Sequence, residues 1–333
     1  MGANTEIMKP AAMPKRAVMR KLYACIVMLL LAYTGNAQQN LQFSQYIFNE
    51  LSVNPAVAGN KEDWYLNAIY RQQWAGFPGA PRTGGVSVDG LVRGDDNDRR
   101  VGIGVQMMMD NLGPQHAYSI YGSYAYRIPM DEENLSRLCL GLGIGVTQYG
   151  IDGSTFMYTD ANDPVIPVAP AASIAPDARF GIYYYSPQFY FGLSVMDLLS
   201  TYTNTSYSWK GYKFETIRKT QHIYLTGGTL IPFSENFQLK PSLMVKTDMK
   251  GPLSIDFNSF LLIGEGAKLW VGGSYRTTSN VSIMGVFNAP RFRLGYSYDM
   301  NMSKLTGTGP SHEISIGILF PSGRNDDADP RYF

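Results

Sequence analysis

The feature that most constrains this chain is a two-residue alternation of apolar with small or polar side chains, which recurs along most of its length. The clearest case is residues 138–146, where leucine, isoleucine and valine alternate with three glycines and Cys139. Successive side chains of a β-strand point to opposite faces, so each such segment is expected to have one apolar face. The alternation therefore predicts an all-β protein. Counting between turn signals gives about fourteen segments, centred near Ile69, Val88, Val105, Tyr121, Leu142, Tyr183, Leu193, Tyr224, Leu243, Ile255, Val271, Ile283, Leu294 and Ile316.

Other properties of these segments favour a barrel in a membrane. The segments are even in number, roughly ten residues long, and have aromatic residues near their ends, which is typical of outer-membrane β-barrels. After residue 37 no apolar stretch reaches the roughly 18 residues of a transmembrane helix. A sheet in lipid has to close on itself because its backbone groups find no water there. We therefore predict a transmembrane antiparallel outer-membrane β-barrel of about 14 strands over residues 61–320.

A secreted two-sheet sandwich would also alternate, and loop lengths distinguish it from a barrel. If residues 38–60 start in the periplasm, odd-numbered connections lead outward and even-numbered ones return to the periplasm. Long outer loops with short periplasmic turns are typical of barrels, whereas a sandwich has no reason for this parity. The odd set contains the long stretches 150–177, 197–219 and 300–311. The even set is short: 93–99, 129–134, 186–188, 232–236, 264–266 and 288–290. The first long stretch carries Pro164, Pro167, Pro170 and Pro176, which favour loop chain.

The N-terminus has the organisation of a secretory signal peptide. Basic residues precede an apolar run of about twelve residues, too short to cross a bilayer as a helix. The small residues Gly35 and Ala37 then predict cleavage before Gln38, so that residues 1–37 form the signal peptide. Either Met1 or Met19 can be the true start. Cys139 is then the only cysteine of the mature chain, which allows no intrachain disulfide. Residues 321–333 are expected to form a polar C-terminal tail.

The chain lacks the sequence patterns of catalytic and cofactor sites. We find no GxSxG elbow and no GxxxxGK phosphate loop. His116, His222 and His312 have no partner at metal-ligand spacing, so each is interpreted as a hydrogen-bonded structural residue. A formal net charge of +1 gives no basic excess for nucleic acid. We therefore expect no enzyme activity, no cofactor, no metal and no nucleic-acid partner.

Charged residues on the polar strand faces constrain the barrel interior. A charge facing lipid near the bilayer centre costs roughly 2 to 4 kcal/mol, so these residues are expected to face the lumen or lie at the rims. Because the charges are of both signs, they favour a network of residues that pair with one another and fill the barrel, rather than an open channel for solutes. The residues are Arg71, Asp89, Arg127, Lys240, Lys246, Asp256, Lys268, Arg276, Arg293 and Asp299.

Two motifs near the start of the mature chain carry a family resemblance. The first is Asn54-Pro55-Ala56-Val57-Ala58-Gly59, and the second is the run RQQWAGFPGAP at residues 71–81. With the later YSYD at 296–299 and SHEI at 311–314, the chain resembles the PorP/SprF family of outer-membrane proteins of the Bacteroidetes type IX secretion and gliding machinery. The resemblance covers essentially the whole mature chain, and the polar tail is the one departure from the family pattern.

The resemblance implies an outer-membrane barrel that is needed for the export of cargo with C-terminal secretion domains. It also implies partners, namely periplasmic ring lipoproteins and an adaptor linked to peptidoglycan, in addition to the lipid of the outer membrane. Since lumen width grows with strand number, a barrel of about fourteen strands is too narrow for a folded protein. We therefore expect an anchor or scaffold. The alternatives are an outer-membrane diffusion channel for small or apolar solutes and an outer-membrane enzyme.

Residues 38–60 form a predicted periplasmic N-terminal segment that precedes the first strand. Phe43, Tyr46 and Phe48 are too many apolar groups for a free tail to leave in water, so they are expected to bury against something. Asn54 and Pro55 would fix the exit turn. These five residues are the candidate plug or partner contacts. They pack either into the mouth of the same barrel or against a periplasmic partner.

Overall fold

The computed structural model describes residues 43–92, 100–133, 135–152, 170–200, 205–209, 212–217, 220–249, 251–278, 280–302 and 308–320. The predicted signal peptide and the predicted polar tail lie outside these residues. Three short 3-10 turns come first, at Tyr46–Phe48, Glu50–Ser52 and Pro55–Val57. The strands follow: β1 Trp64–Gln72, β2 Arg82–Val92, β3 Val101–Leu112, β4 Gln115–Pro129, β5 Arg137–Asp152, β6 Pro170–Tyr185, β7 Phe189–Met196, β8 Thr205–Trp209, β9 Tyr212–Ile217, β10 His222–Thr229, β11 Ile231–Ser234, β12 Phe237–Thr247, β13 Ser254–Ile263, β14 Leu269–Arg276, β15 Asn280–Ala289, β16 Phe292–Asn301 and β17 Ser311–Phe320.

The strands form a closed antiparallel barrel. Each wall strand pairs with its neighbours in sequence, and the first and last strands close the wall from Trp64 opposite Phe320 to Gln72 opposite His312. Since β10 and β11 both pair with β12 and are separated only by Leu230, they occupy one position in the wall. Among the described residues, the wall therefore has fourteen strand positions, and each contains one of the predicted segment centres. The predicted fold class is confirmed.

The alternation in the sequence corresponds to the two faces of this wall. On β5, Leu142 and Ile144 are exposed on the outer face, while Cys139 and Tyr149 are buried on the inner face. An outer surface of this kind suits lipid, and closure leaves the wall without an unpaired edge along its first and last strands. In the described part of the chain, no helix has the length and hydropathy needed to cross a membrane.

We name the two ends of the barrel by their connections. The short-loop end is where β1 begins and β17 ends, and the long-loop end is where β1 ends and β2 begins. The sequence predicts that the short-loop end faces the periplasm.

Two predicted long loops are partly strand. Of the stretch 150–177, residues 150–152 complete β5 and residues 170–177 begin β6, so Pro170 and Pro176 lie in a strand. The interpretation of these two prolines as loop residues was wrong. Strand β7 ends at Met196 and pairs with β6 only as far as Phe180, which leaves Pro176 beyond the last β6–β7 pair, where a missing N–H can be tolerated. Within the stretch 197–219, β8 and β9 pair as a separate two-stranded hairpin.

Candidate functional site

The barrel lumen is filled by residues 43–60, which we call the plug. Every plug residue except Glu50 and Ser52 is buried. The sequence explains the third 3-10 turn of the plug locally. The side chain of Asn54 accepts a hydrogen bond from the Ala56 N–H at 2.9 Å, and Pro55 supplies a preset φ angle at the first position of the turn.

The plug runs through the lumen from one end to the other. Near the short-loop end, the Gly59 N–H donates to the Asp89 carboxylate at 2.9 Å. Also near the short-loop end, the Asn54 side-chain amide donates to the Ile182 carbonyl at 3.0 Å, and further along β7 Ser194 Oγ donates to the Val53 carbonyl. Towards the long-loop end, Arg276 Nη2 donates to the Phe43 carbonyl at 3.4 Å. The predicted periplasmic segment thus lies within the barrel from Phe43 onward.

A buried ion network holds the long-loop half of the plug. Arg71 Nη1 lies 2.5 Å from an Asp299 carboxylate oxygen and 2.9 Å from Glu313 Oε2. Glu313 also accepts the Ser44 N–H at 2.9 Å and the Gln45 N–H at 2.7 Å, while Ser44 Oγ donates to Asp299 at 2.6 Å. Asp299 and Glu313 are fully buried, so their charges depend on these partners.

An apolar cluster on β13 and β14 also holds the plug. The Phe48 ring lies 5.7 Å from the Phe260 ring and 5.4 Å from the Trp270 ring, measured between centroids. The Arg293 guanidinium lies 5.1 Å from the centroid of the Phe48 ring. Nearby, the Tyr46 hydroxyl accepts a hydrogen bond from the Asn258 amide at 2.7 Å. Burial of both aromatic side chains therefore joins the plug to strands β13 and β14 of the wall.

Replacing Tyr46 and Phe48 together by serine tests how far this cluster seats the plug. Losing the Phe48 ring alone is expected to cost about 3 kcal/mol or more of packing free energy. The wall ladder does not involve either residue, so we expect a folded, heat-modifiable barrel whose plug has become accessible to protease. A barrel that fails to assemble would mean that the segment belongs to the fold, and a separate docking role for it would have to be dropped.

Glycines on the inner face of the wall make room for the plug. A Cβ added to Gly102 would overlap the Ala58 carbonyl, and one on Gly141 would overlap the backbone of Ala56. A row of such glycines follows the plug across several strands. Gly181 lies against the Asn54 side chain, and Gly295 lies against the side chain of Gln45.

The structure brings together the five predicted plug or partner contacts, since Phe43, Tyr46, Phe48, Asn54 and Pro55 are all buried inside the barrel. The charged strand residues also lie mainly in the lumen. Eight are buried, Arg293 is half-buried, and Lys268 is exposed in the turn before β14. The buried ones are Arg71, Asp89, Arg127, Lys240, Lys246, Asp256, Arg276 and Asp299.

Sequence reasoning missed several residues that hold the plug. Glu313, Ser44 and Gln45 are among them, as are the glycines at 102, 141, 181 and 295. One signal for Glu313 was available, because it alternates with the outward-facing Ile314 and so occupies an inner-face position of β17.

The histidines are placed among aromatic and polar partners. His222 Nδ1 lies 3.3 Å from Asp197, and His312 Nδ1 lies 2.8 Å from the Tyr296 hydroxyl. The His116 ring packs beside Tyr118. In the described ranges no three histidine, cysteine or acidic residues are grouped so that they could hold a metal ion.

Comparison with known proteins gives a family match. The family model described as type IX secretion system membrane protein PorP/SprF matches residues 35–318. Comparison with curated proteins finds no match.

Comparison with solved structures gives matches of low sequence identity. The Ralstonia pickettii toluene transporter TbuX has 8% identity and a TM-score of 0.48, with 82% of this chain and 93% of that chain covered. The CymD monoaromatic hydrocarbon channel has 12% identity and a TM-score of 0.47, covering 86% and 94%. A FadL homologue of Pseudomonas aeruginosa has 8% identity and a TM-score of 0.43, covering 85% and 95%.

Proposed function

Because this chain belongs to the PorP/SprF family of type IX secretion system membrane proteins, we propose that it acts as a plugged outer-membrane anchor for the secretion machinery. In this role it scaffolds the export of cargo that carries C-terminal secretion domains, and the cargo does not pass through its lumen. The single observation that carries the proposal is the plug, which is buried along almost its whole length.

Two properties of the plug support an anchor over a conduit. First, Ser44 and Gln45 of the plug donate charge-assisted hydrogen bonds to the buried carboxylates of Asp299 and Glu313, and such bonds are strong where water is excluded. Second, the number of strands limits the width of a barrel lumen, and this barrel has only fourteen strand positions. The plug already occupies that lumen. A folded cargo domain has no comparable space to enter.

Membership of the secretion system implies that the protein works with other components of that system. We propose that periplasmic ring lipoproteins and a peptidoglycan-linked adaptor are the partners, and that they contact the short-loop end. The predicted topology supports this assignment, because it directs the short connections to the periplasm.

A disulfide that locks the plug in place separates an anchor from a conduit. Ser44 Oγ in the plug and Ser282 Oγ on β15 lie 3.5 Å apart, so cysteines at these two positions need only a small shift to form a bond. In cells that carry the S44C/S282C variant, we expect cargo export to continue at an unchanged rate after oxidation. The measurement is the amount of secreted cargo with and without a membrane-permeant oxidant.

The single variant S282C is the matched control, since it has the same wall substitution but cannot form the lock. Export that stops on oxidation and returns with a reductant, in the double variant alone, would mean that the plug has to leave its site. That result would contradict the anchor proposal and favour passage through the lumen.

A further inference from the structure

A small cavity remains inside the barrel between the plug and the long-loop end. Its volume is about 50 Å³, against the roughly 10 to 15 Å³ of such space that one water molecule needs. Phe43 and Tyr46 of the plug form one side, and residues near the long-loop ends of the strands, including Met196 and Lys246, form the other. The cavity therefore has room for a few heavy atoms.

Arg179 on β6 faces this cavity without a carboxylate partner among the described residues. Its guanidinium lies over the Tyr121 ring, with Cζ 3.2 Å from the ring centroid. Its Nη1 donates to Gln106 Oε1 at 3.2 Å, and its buried Nε has no hydrogen-bond partner in the described part of the chain. A half-buried cation that has no counter-ion favours a nearby anion.

Gln106 on β3 adds a second donor to the same cavity. The residue is only 2% exposed. Because its Oε1 accepts from Arg179, the side-chain amide is oriented with Nε2 as a donor, and this atom has no partner among the described residues. An unsatisfied buried donor is unfavourable, and binding of a hydrogen-bond acceptor would satisfy it.

The net charge of the cavity lining is positive. Arg179 and Lys246 are its charged members, and the described lining contains no aspartate or glutamate. Outside the lining, Asp197, Asp248 and Asp256 interact electrostatically with Lys246, so Arg179 is the lining cation that has no carboxylate partner among the described residues. Asp177 accepts from the Tyr121 hydroxyl at 3.0 Å, and Asp256 is bound to Arg276 at 2.6 Å.

From this geometry we propose that the cavity is a binding site for a small organic monocarboxylate. The guanidinium of Arg179 and the side-chain amide of Gln106 would receive the carboxylate group. Phe43, Met108 and Met196 provide an apolar surface for a short alkyl chain, which an inorganic anion would not use. The site is independent of the anchor role proposed above, since it lies beside a seated plug.

The site is tested by isothermal titration of the purified mature barrel in detergent with sodium butyrate. We expect one butyrate bound per chain in the wild type. The variants R179Q and Q106L should each bind it about ten- to a hundredfold more weakly, since each loses one hydrogen bond to a charged group. K268Q, which removes an exposed cation outside the cavity, is the matched control and should bind as the wild type does.

Two further ligands check the chemical class. Butylammonium should give no binding heat, because it carries the wrong charge, and inorganic phosphate should bind more weakly than butyrate. Phosphate that binds as well as butyrate would overturn the assignment to organic carboxylates. Absence of butyrate binding to the wild type, or equal affinity in R179Q and Q106L, would overturn the site itself. Q106L retains all charges, so it carries the test if R179Q fails to give a heat-modifiable barrel.

Discussion

Replacing Arg71 by methionine is expected to lower the free energy of unfolding of the barrel by about 3 to 5 kcal/mol, the usual cost of breaking a buried ion pair. The side chain of Arg71 is buried between Asp299 and Glu313, both of which are fully buried. Removing the guanidinium leaves two carboxylates close together without a counter-ion, and it removes the group that aligns them with Ser44. Unfolding in urea from lipid vesicles measures the effect.

Two control variants show whether the loss comes from the unpaired charges. R82M removes an exposed arginine at the same end of the barrel, and it should be within about 0.5 kcal/mol of the wild type. The triple variant R71M/D299N/E313Q also removes the two carboxylate charges that R71M leaves without a counter-ion. It should therefore recover a large part of the free energy of unfolding that R71M loses. If R71M unfolds as the wild type does, Arg71 does not hold the network, and the plug depends on other contacts.

Adding a single methyl group at Gly141 is expected to displace the plug. The Cβ of G141A would meet the nitrogen and Cα of Ala56 and the carbonyl carbon of Pro55, all of which are backbone atoms that cannot rotate away. Overpacking of this kind typically costs about 1 to 3 kcal/mol, and here the plug can relieve it only by moving. Cys139 is 1% exposed and packs in a cluster with Ala56, so its thiol reports the movement. We expect maleimide to label Cys139 readily in G141A and slowly in the wild type.

The control for this substitution is G122A on the neighbouring strand β4. No heavy atom lies within 4 Å of the Cβ that it adds, so Cys139 should stay protected. Equal labelling of G141A and the wild type would mean that the plug does not press on this glycine. Equal labelling of G141A and G122A at a raised rate would instead point to a general loosening of the wall.

Much of the wall could be predicted from the sequence because the information there is local. In β5, for example, Leu142 and Ile144 alternate with Gly141 and Gly143, and this pattern alone fixes which side faces lipid. The cost of a charge facing lipid predicted that Arg71 and Asp299 face the lumen or lie at the rims, and both are buried in the lumen. Strand ends were harder to predict. The β5–β6 ladder extends to Pro170. Proline is tolerated there because this part of β6 lies beyond its last pair with β7 and so has one unpaired edge.

The plug could be predicted only in part, because its contacts join distant parts of the sequence. Apolar side chains such as Phe43 and Phe48 indicated that the segment would bury, but they did not specify where. Gly145 on β5 leaves space for the ring of its neighbour Tyr121 on β4. The space beside Gly141 is instead occupied by the backbone of the plug. The local sequence around Gly141 or around the plug does not indicate that these two segments contact each other.

Closure of the barrel by the protein's own plug can be measured as ion conductance in planar lipid bilayers. Purified mature protein, first shown to be heat-modifiable, is inserted and a voltage is applied. We predict no steady conductance above that of the bare bilayer, because the plug from Phe43 to Asn60 fills the lumen. Stable conductance steps of uniform size from the wild-type protein would contradict this account and would favour a diffusion channel for small or apolar solutes.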